Sequence, residues 1–356
     1  MSEQEKNIVS YNCKSCGGPL EYIPGQSLLQ CPYCGAAEEI ASDGNIAERD
    51  FLSQAAGARA WDGAVVYECK NCGCGSVFDG GEISHVCPFC GTPNILETKN
   101  LPGLKPDSIL PFKLTKEQAD KIFKAWIKAL KFSPSALKTA ADADFYKGVY
   151  LPLWTFDDNA HFEYRGELGK DYTVTVGSGK NKRVERRTKY FGISGASAEF
   201  FDDICVRASG LVPEKSLDKI APFDVKTAVK YDQKFLVGLS AVRCSKDINA
   251  AWTEAKQKIN ELLRRHILSR YDYDRVVSLE VNTRHINVTF KYMLMPVWTS
   301  AFKHKDKLYN FYINGTNGKI TGKRPYSASK ILAAAGIGLA IAAAVAVIIG
   351  KLTGAF

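Results

Sequence analysis

Histidine is scarce in this chain, five residues in 356. His161, His266, His285 and His304 are scattered, and no spacing couples any of them to a nucleophile. HExxH, GxSxG and GxGxxG do not occur, which removes the usual zinc-hydrolase, serine-hydrolase and dinucleotide signatures. The tetrapeptide GSGK at 177–180 is no phosphate loop, because Asn181 stands where Ser or Thr is required and no glycine lies five residues before Gly179. The opening MSEQEKNIVSYNC holds no apolar run and no small-residue cleavage site, so a secretory leader is not expected. Without export, paired cysteines stay reduced and serve as metal ligands more often than as disulfides. The acidic pairs Asp157-Asp158 and Asp202-Asp203 read as turn residues at strand ends, and Cys205 and Cys244 as core thiols. The net charge of +9 permits attraction to phosphate, of nucleic acid or of lipid, without choosing between them.

Cysteine is present in a pattern. Eleven cysteines occur, and eight of them fall into two copies of C-x2-C, fourteen residues, C-x2-C. The first is Cys13, Cys16, Cys31 and Cys34; the second, 56 residues on, is Cys69, Cys72, Cys87 and Cys90. Tyr11, Lys14, Gly17, Pro32 and Gly35 match Tyr67, Lys70, Gly73, Pro88 and Gly91. Four thiolates so spaced suit one tetrahedral soft ion, so the expectation is two zinc ions per chain, with iron the lesser alternative. Such sites are closed, with no open position for catalysis. Glycine after each second cysteine lets the backbone turn with positive φ. Cys74, where the first copy has Gly18, reads as a small side chain packed beside the knuckle, and His85 as a bystander.

Between the ribbons, GNIAERDFLSQAAGARAW reads as a short connecting helix on a hinge. TKNLPGLKPDSILPF is a proline-punctuated linker. A helix begins at Thr115, with Gln118 as capping-box partner and Ile122, Trp126 and Leu130 on its apolar face, flanked by Phe123 and Ile127. A second helix is predicted from Lys246 to Leu268, with Ile248, Trp252, Ile259, Leu262 and Leu263 inward. The rest reads as strands. YLPLWTF (150–156) and LMPVWTS (294–300) share apolar-Pro-apolar-Trp-Thr at 144 residues' separation, which points to two related meanders. Pro152 and Pro296 predict edge strands or bulges. Asn314-Gly315 and Asn317-Gly318 predict turns.

GSGKNKRVERRTKY (177–190) predicts a hairpin tip with a basic face, whose candidate phosphate ligands are Lys180, Lys182, Arg183, Arg186, Arg187 and Lys189. The competing reading is a solvated charged loop. At the C-terminus, ILAAAGIGLAIAAAVAVII (331–349) is nineteen residues without charge, about 28 Å as a helix and close to a bilayer core. Lys319, Lys323, Arg324 and Lys330 precede it, so the positive-inside bias keeps the large N-terminal part cytoplasmic. Gly336, Ala340, Ala344 and Gly338, Ala342, Ala346 form rows that suit helix pairing in lipid, hence a candidate homo-oligomer.

These features resemble bacterial zinc-ribbon membrane proteins of envelope-stress operons, which stand beside phage-shock-protein-A-type and flotillin-like (SPFH) proteins. Such proteins are often labelled relatives of primosomal replication helicases. CKSCGG, CPYCG, GVYLPLWTFDDNAHFEYRGE, FFDDICVRASGL, FLVGLSAVRC and NGTNGKITGKRPYS carry the resemblance. It implies a tail-anchored, non-enzymatic adaptor at the cell membrane that brings those partners to a stressed bilayer. The alternative is a zinc-ribbon nucleic-acid-binding or replication- or transcription-associated protein, whose binding would weaken steeply with salt. The expected organisation is multidomain: zinc ribbons at 1–40 and 63–98, a connecting helix or hinge at 41–62 and a linker at 99–110. An α+β domain with mostly antiparallel sheet follows at 111–326, then a single transmembrane helix at 330–350.

Overall fold

The computed structural model describes residues 11–41, 46–53, 61, 65–78, 87–92, 95–97, 104–140, 146–304 and 307–352. The first cysteine repeat frames a small antiparallel sheet of β1 (Glu21–Ile23), β2 (Leu28–Gln30) and β3 (Ala37–Glu39). Tyr22 and Leu29 turn inward from it and join a core that includes Phe235, Phe112 and Tyr150. Backbone bonds from Tyr22 N–H to the Val237 carbonyl and from Gly25 N–H to the Phe112 carbonyl dock the ribbon on the rest of the molecule.

All remaining strands described belong to one 12-stranded sheet. β4 (Arg49–Asp50) lies where a connecting helix was expected. Two neighbours explain the difference. The Arg49 guanidinium bonds Asp107 and lies over the Phe290 ring, and Phe51 enters a ring cluster with Phe156, Trp252 and Phe290. Tertiary partners override the local helix preference. The rest of that expected helix, residues 54–60, lies outside the described residues. β5 (Val65–Cys69), β6 (Gly75–Phe78) and β7 (Ile95–Glu97) come from the second repeat and extend the large sheet.

β8 (Ser108–Ile109) leads into α1 (Lys116–Ala129) and α2 (Ser135–Ala140). The Thr115 capping box forms with both of its hydrogen bonds. Ala119, Phe123 and Ile127 are the buried stripe of α1, while Ile122, Trp126 and Leu130 flank it half-buried, one position away from the expected centre. Phe123 takes the centre because Tyr146 and Phe311 receive its ring edge-on.

β9 (Lys147–Val176) and β10 (Arg183–Arg207) form a long hairpin. α3 (Glu214–Ile220), β11 (Val229–Lys230) and β12 (Ser240–Val242) follow, then α4 (Ile248–Leu268), capped by the Asp247 carboxylate. Buried Trp252, Ile259 and Leu263 match the predicted inner face of α4. β13 (Arg275–His304), β14 (Lys307–Asn314) and β15 (Ile320–Gly322) complete the sheet, and α5 (Ala328–Leu352) ends the described chain. Pairing is antiparallel except for β12 on β9 and β8 on β13.

Neither proline marks an edge strand or a bulge, contrary to the expectation from sequence. β9 and β13 are central and pair with each other, Pro152 opposite Leu294 and Pro296 opposite Tyr150. On its other side β9 pairs in parallel with β12 at Val149 and Tyr150, then with β10 from Leu153 onward. β13 pairs in parallel with β8 at Met293 and Leu294, then with β14 from Val297 onward. Each proline therefore sits in the gap where one neighbour hands over to another, and no ladder donor is needed there.

This correspondence is a pseudo-twofold duplication. Positions 149, 150 and 152 recur 144 residues on with equivalent pairings in the same order, β12 in the first copy and β8 in the second. The tryptophans extend it. Trp154 donates its indole N–H to the Lys246 carbonyl, one residue before the N-cap of α4, and Trp298 donates to the Leu114 carbonyl, one residue before the N-cap of α1. β8–α1–β9–β10 and β12–α4–β13–β14 are two copies of one unit, each reaching across to the other's helix.

Candidate metal centres

Four knuckles repeat one hydrogen-bond pattern. The N–H of the glycine after each second cysteine donates to the first cysteine's carbonyl: Gly17 to Cys13, Gly35 to Cys31, Gly73 to Cys69, Gly91 to Cys87. The first cysteine's N–H reaches the carbonyl five residues ahead, at Gly18, Ala36, Cys74 and Thr92. Gly17, Gly35, Gly73 and Gly91 all have φ between 69° and 76°. That left-handed turn excludes most side chains.

The knuckles bring the predicted ligands together. Cys13, Cys16, Cys31 and Cys34 form one cluster and Cys69, Cys72, Cys87 and Cys90 another, the four sulfurs of each within 4.8 Å of one another. Sγ separations are 3.5 Å for Cys13–Cys34, 3.4 Å for Cys16–Cys31, and 3.5 Å for both Cys69–Cys90 and Cys72–Cys87. Sulfurs bound at roughly 2.3 Å around one tetrahedral zinc lie about 3.8 Å apart, so the cages have the right size. A disulfide would need about 2.0 Å, and all eight cysteines are free. Two zinc ions are compatible with these donor sets.

Backbone N–H groups already favour thiolate at some positions. Those of Cys16 and Ser15 hold the Cys13 thiol down at about 6. Cys87 is held at about 4, chiefly by a hydrogen bond from Cys74. Burial pushes Cys69 and Cys72 the other way. A divalent cation would draw all four members of a cage to the thiolate form. Cys74 is buried beside Cys87, its sulfur 3.3 Å from the Ser76 hydroxyl. It packs against the knuckle, as the sequence predicted. His85 lies outside the described residues.

The expected basic hairpin forms at the β9–β10 tip, but its charges are largely spent internally. Arg183 and Arg187 both pair with Glu185, and Arg186 pairs with Asp171. Lys182 and Lys189 have no ion pair among the described residues, and the Lys180 side chain lies outside them.

The aspartate pairs are not turn residues. Asp157 and Asp158 are buried in mid-β9, opposite bulges in both neighbouring strands, and Asp202-Asp203 form the bulge in β10. Asp157, Asp202 and Asp203 bring carboxylate oxygens within 4.8 Å of one another. Lys291 compensates from β13, 3.0 Å from both Asp203 and Glu48. Burial first, and a hydrogen bond shared with Glu48 second, push Asp157 up to about 7. On the other face of β9, Asp158 bonds His285 Nδ1 at 2.6 Å. Sequence reading missed this ionic centre because it joins β9, β10, β13 and the residue before β4, and only the doubled Asp-Asp hinted at it. Burial also pushes the Cys205 and Cys244 thiols up to about 12 and 11.

α5 is long and apolar enough to cross a membrane, and none of its apolar stretch is buried. Leu332 and Leu339 are more than 70% exposed.

The chain is 27% identical over 331 residues to the uncharacterized protein YdjG of Bacillus subtilis (strain 168), across 92% of this chain and 93% of that protein. No family model matches the chain, and no solved structure matches it.

Proposed function

We propose that this chain is a single-pass, tail-anchored scaffold of the cell membrane, without catalytic activity, that brings cytoplasmic protein partners to the bilayer. One observation carries the reading: an apolar helix with no protein around it is joined to a body that holds two closed four-cysteine cages. A helix exposed on every face needs lipid or protein to cover it, and its length fits a bilayer core. Lys319, Lys323, Arg324 and Lys330 on the N-terminal side of α5 support a cytoplasmic body.

The cages take zinc in this reading. Cys13, Cys16, Cys31 and Cys34 would hold one ion, and Cys69, Cys72, Cys87 and Cys90 the other. Each ion supplies a cross-link that a ribbon this small cannot replace with apolar core. The ribbons then offer rigid loops for a partner. The partner class, phage-shock-protein-A-type or flotillin-like proteins in an envelope-stress response, rests on the family resemblance. The nucleic-acid alternative draws no support from the hairpin, where three of the arginines are already paired.

The test is fractionation of the full-length tagged protein, with carbonate washing, metal analysis and mass spectrometry of what co-purifies from detergent extracts. Retention in the washed membrane, two zinc ions per chain and recovery of an envelope-stress partner are expected. Release by carbonate would overturn the anchor, and salt-sensitive nucleic acid in place of a protein partner would favour the alternative.

A further inference from the structure

The outer edge of β10 is bare. β9 pairs with β10 along one side from Arg183 to Arg207, and among the described residues no strand pairs with the other. From Gly192 to Ala198 every residue but Ile193 is exposed, and Tyr190 and Phe200 are 55% and 59% exposed. Proteins blunt such edges with charge, proline or a bulge. The segment YFGISGASA (190–198) has no charge and no proline, and the bulge in β10 comes only after Phe201.

We infer that β10 pairs with β10 of a second copy of this chain, antiparallel and centred on Ser194, to make one sheet across two protomers. Opposed residues in an antiparallel ladder must both turn their N–H and C=O groups outward or both inward. A symmetric pair is therefore centred on a residue, never between two.

Charge selects which one. β10 is basic at its start (Arg183, Arg186, Arg187, Lys189) and acidic toward its end (Glu199, Asp202, Asp203). Centred on Ser194, Lys189, which has no ion pair among the described residues, faces Glu199, which also bonds His266 Nδ1 at 2.7 Å; the Lys189–Glu199 contact is made twice by symmetry. Of the registers centred from Gly192 to Ala196, this one alone sets Glu199 against a cation without an ion pair of its own among the described residues; centring on Ile193 sets it against Arg187, which Glu185 already holds. Centring on Gly192 opposes Glu185 to Glu199, and centring on Gly195 or Ala196 leaves Glu199 facing an apolar residue. Asp202 and Asp203 lie in the bulge, off the regular ladder, and do not bear on the register.

The same register brings Tyr190 and Phe200 to diagonal positions on the outer face, within reach of aromatic rings. At the centre, Gly192, Ser194, Ala196 and Ala198 present small side chains there, so nothing obstructs the second strand.

The test uses the full-length protein in detergent. Ser194→Cys should give an interchain disulfide on mild oxidation, well above the background of the wild-type cysteines. Ala196→Cys, which faces Gly192, should not. Lys189→Glu should weaken self-association about tenfold, through repulsion made twice, and adding Glu199→Lys should restore it. The outward amides of 190–198 should be protected from hydrogen exchange. Free exchange at those amides would overturn the inference, as would protection without any Ser194→Cys cross-link, which would mean that a different strand occupies the edge. A Lys189→Glu variant that associates like the wild type would overturn the register.

Discussion

Replacing Cys87 by serine is expected to lower bound zinc from two ions per chain to about one, since one ligand of a closed cage is lost. Cys74→Ser should leave it at two, because Cys74 is not one of the four clustered thiols and a serine hydroxyl can keep its hydrogen bond to Cys87. Metal analysis of the two purified variants separates ligand from neighbour. Asp157 gives a second prediction at this scale. Its native carboxyl titrates at about 7 against an ordinary 3.8, so the folded chain holds that proton more tightly than the unfolded one. Stability should therefore fall as pH rises from about 4 to about 7. Glu48, held down at about 2, acts in the opposite sense and loses its contribution as pH drops through its own native value. Asp157→Asn should flatten the decline above pH 4, measured as urea midpoints across pH; an unchanged slope would refute the assignment. The two groups of four clustered thiols were legible from spacing alone, because C-x2-C knuckles are local structures. Asp157 was not, since its partners Asp203 and Lys291 come from two other strands and Glu48 from the residue before β4.

The tryptophan pair tests the duplication at the level of elements. Trp154→Phe and Trp298→Phe keep the ring but remove an indole hydrogen bond, 3.0 and 3.2 Å long, to the residue before an opposite helix. Each should destabilise by about 1 kcal/mol, and by similar amounts, because the two contacts occupy equivalent places. Denaturant melts of both variants check this, and a large asymmetry would count against equivalence. Thr115→Ala should also cost about 1 kcal/mol by removing the capping box of α1. Both helices and both Trp-bearing strands could be read from periodicity and caps. The place of Pro152 and Pro296 in central strands could not, since a proline's tolerance depends on which neighbour lies beside it, and that is a property of the assembled sheet. The same holds for β4, drawn from its helix preference by Phe290 and Asp107.

For the molecule as a whole, truncation after Ser327 should move the protein from the membrane to the soluble fraction with both metal cages intact. Hydrogen bonds from Ser327 N–H and Lys330 Nζ to the Phe132 and Ser133 carbonyls tie the start of α5 to the body. Persistence of the truncated chain in washed membranes would argue against α5 as the anchor. Both ribbons are docked on the body. The first seats Tyr22 against Phe235, and the second continues the large sheet through β6 and β12. Loss of metal should therefore loosen the neighbouring body as well as the ribbon, seen as faster hydrogen exchange in β12 and at 233–236 after chelation.

By itself the sequence determined the features that depend on near neighbours or on bulk composition: the thiol cages, the helix caps, the Asn-Gly turns and a terminal helix apolar on every face. Tertiary structure alone decided the pseudo-twofold exchange of β8 and β12, the buried Asp157 centre and the bare edge of β10. Each of these depends on which strands lie side by side, and that follows from packing between segments more than a hundred residues apart.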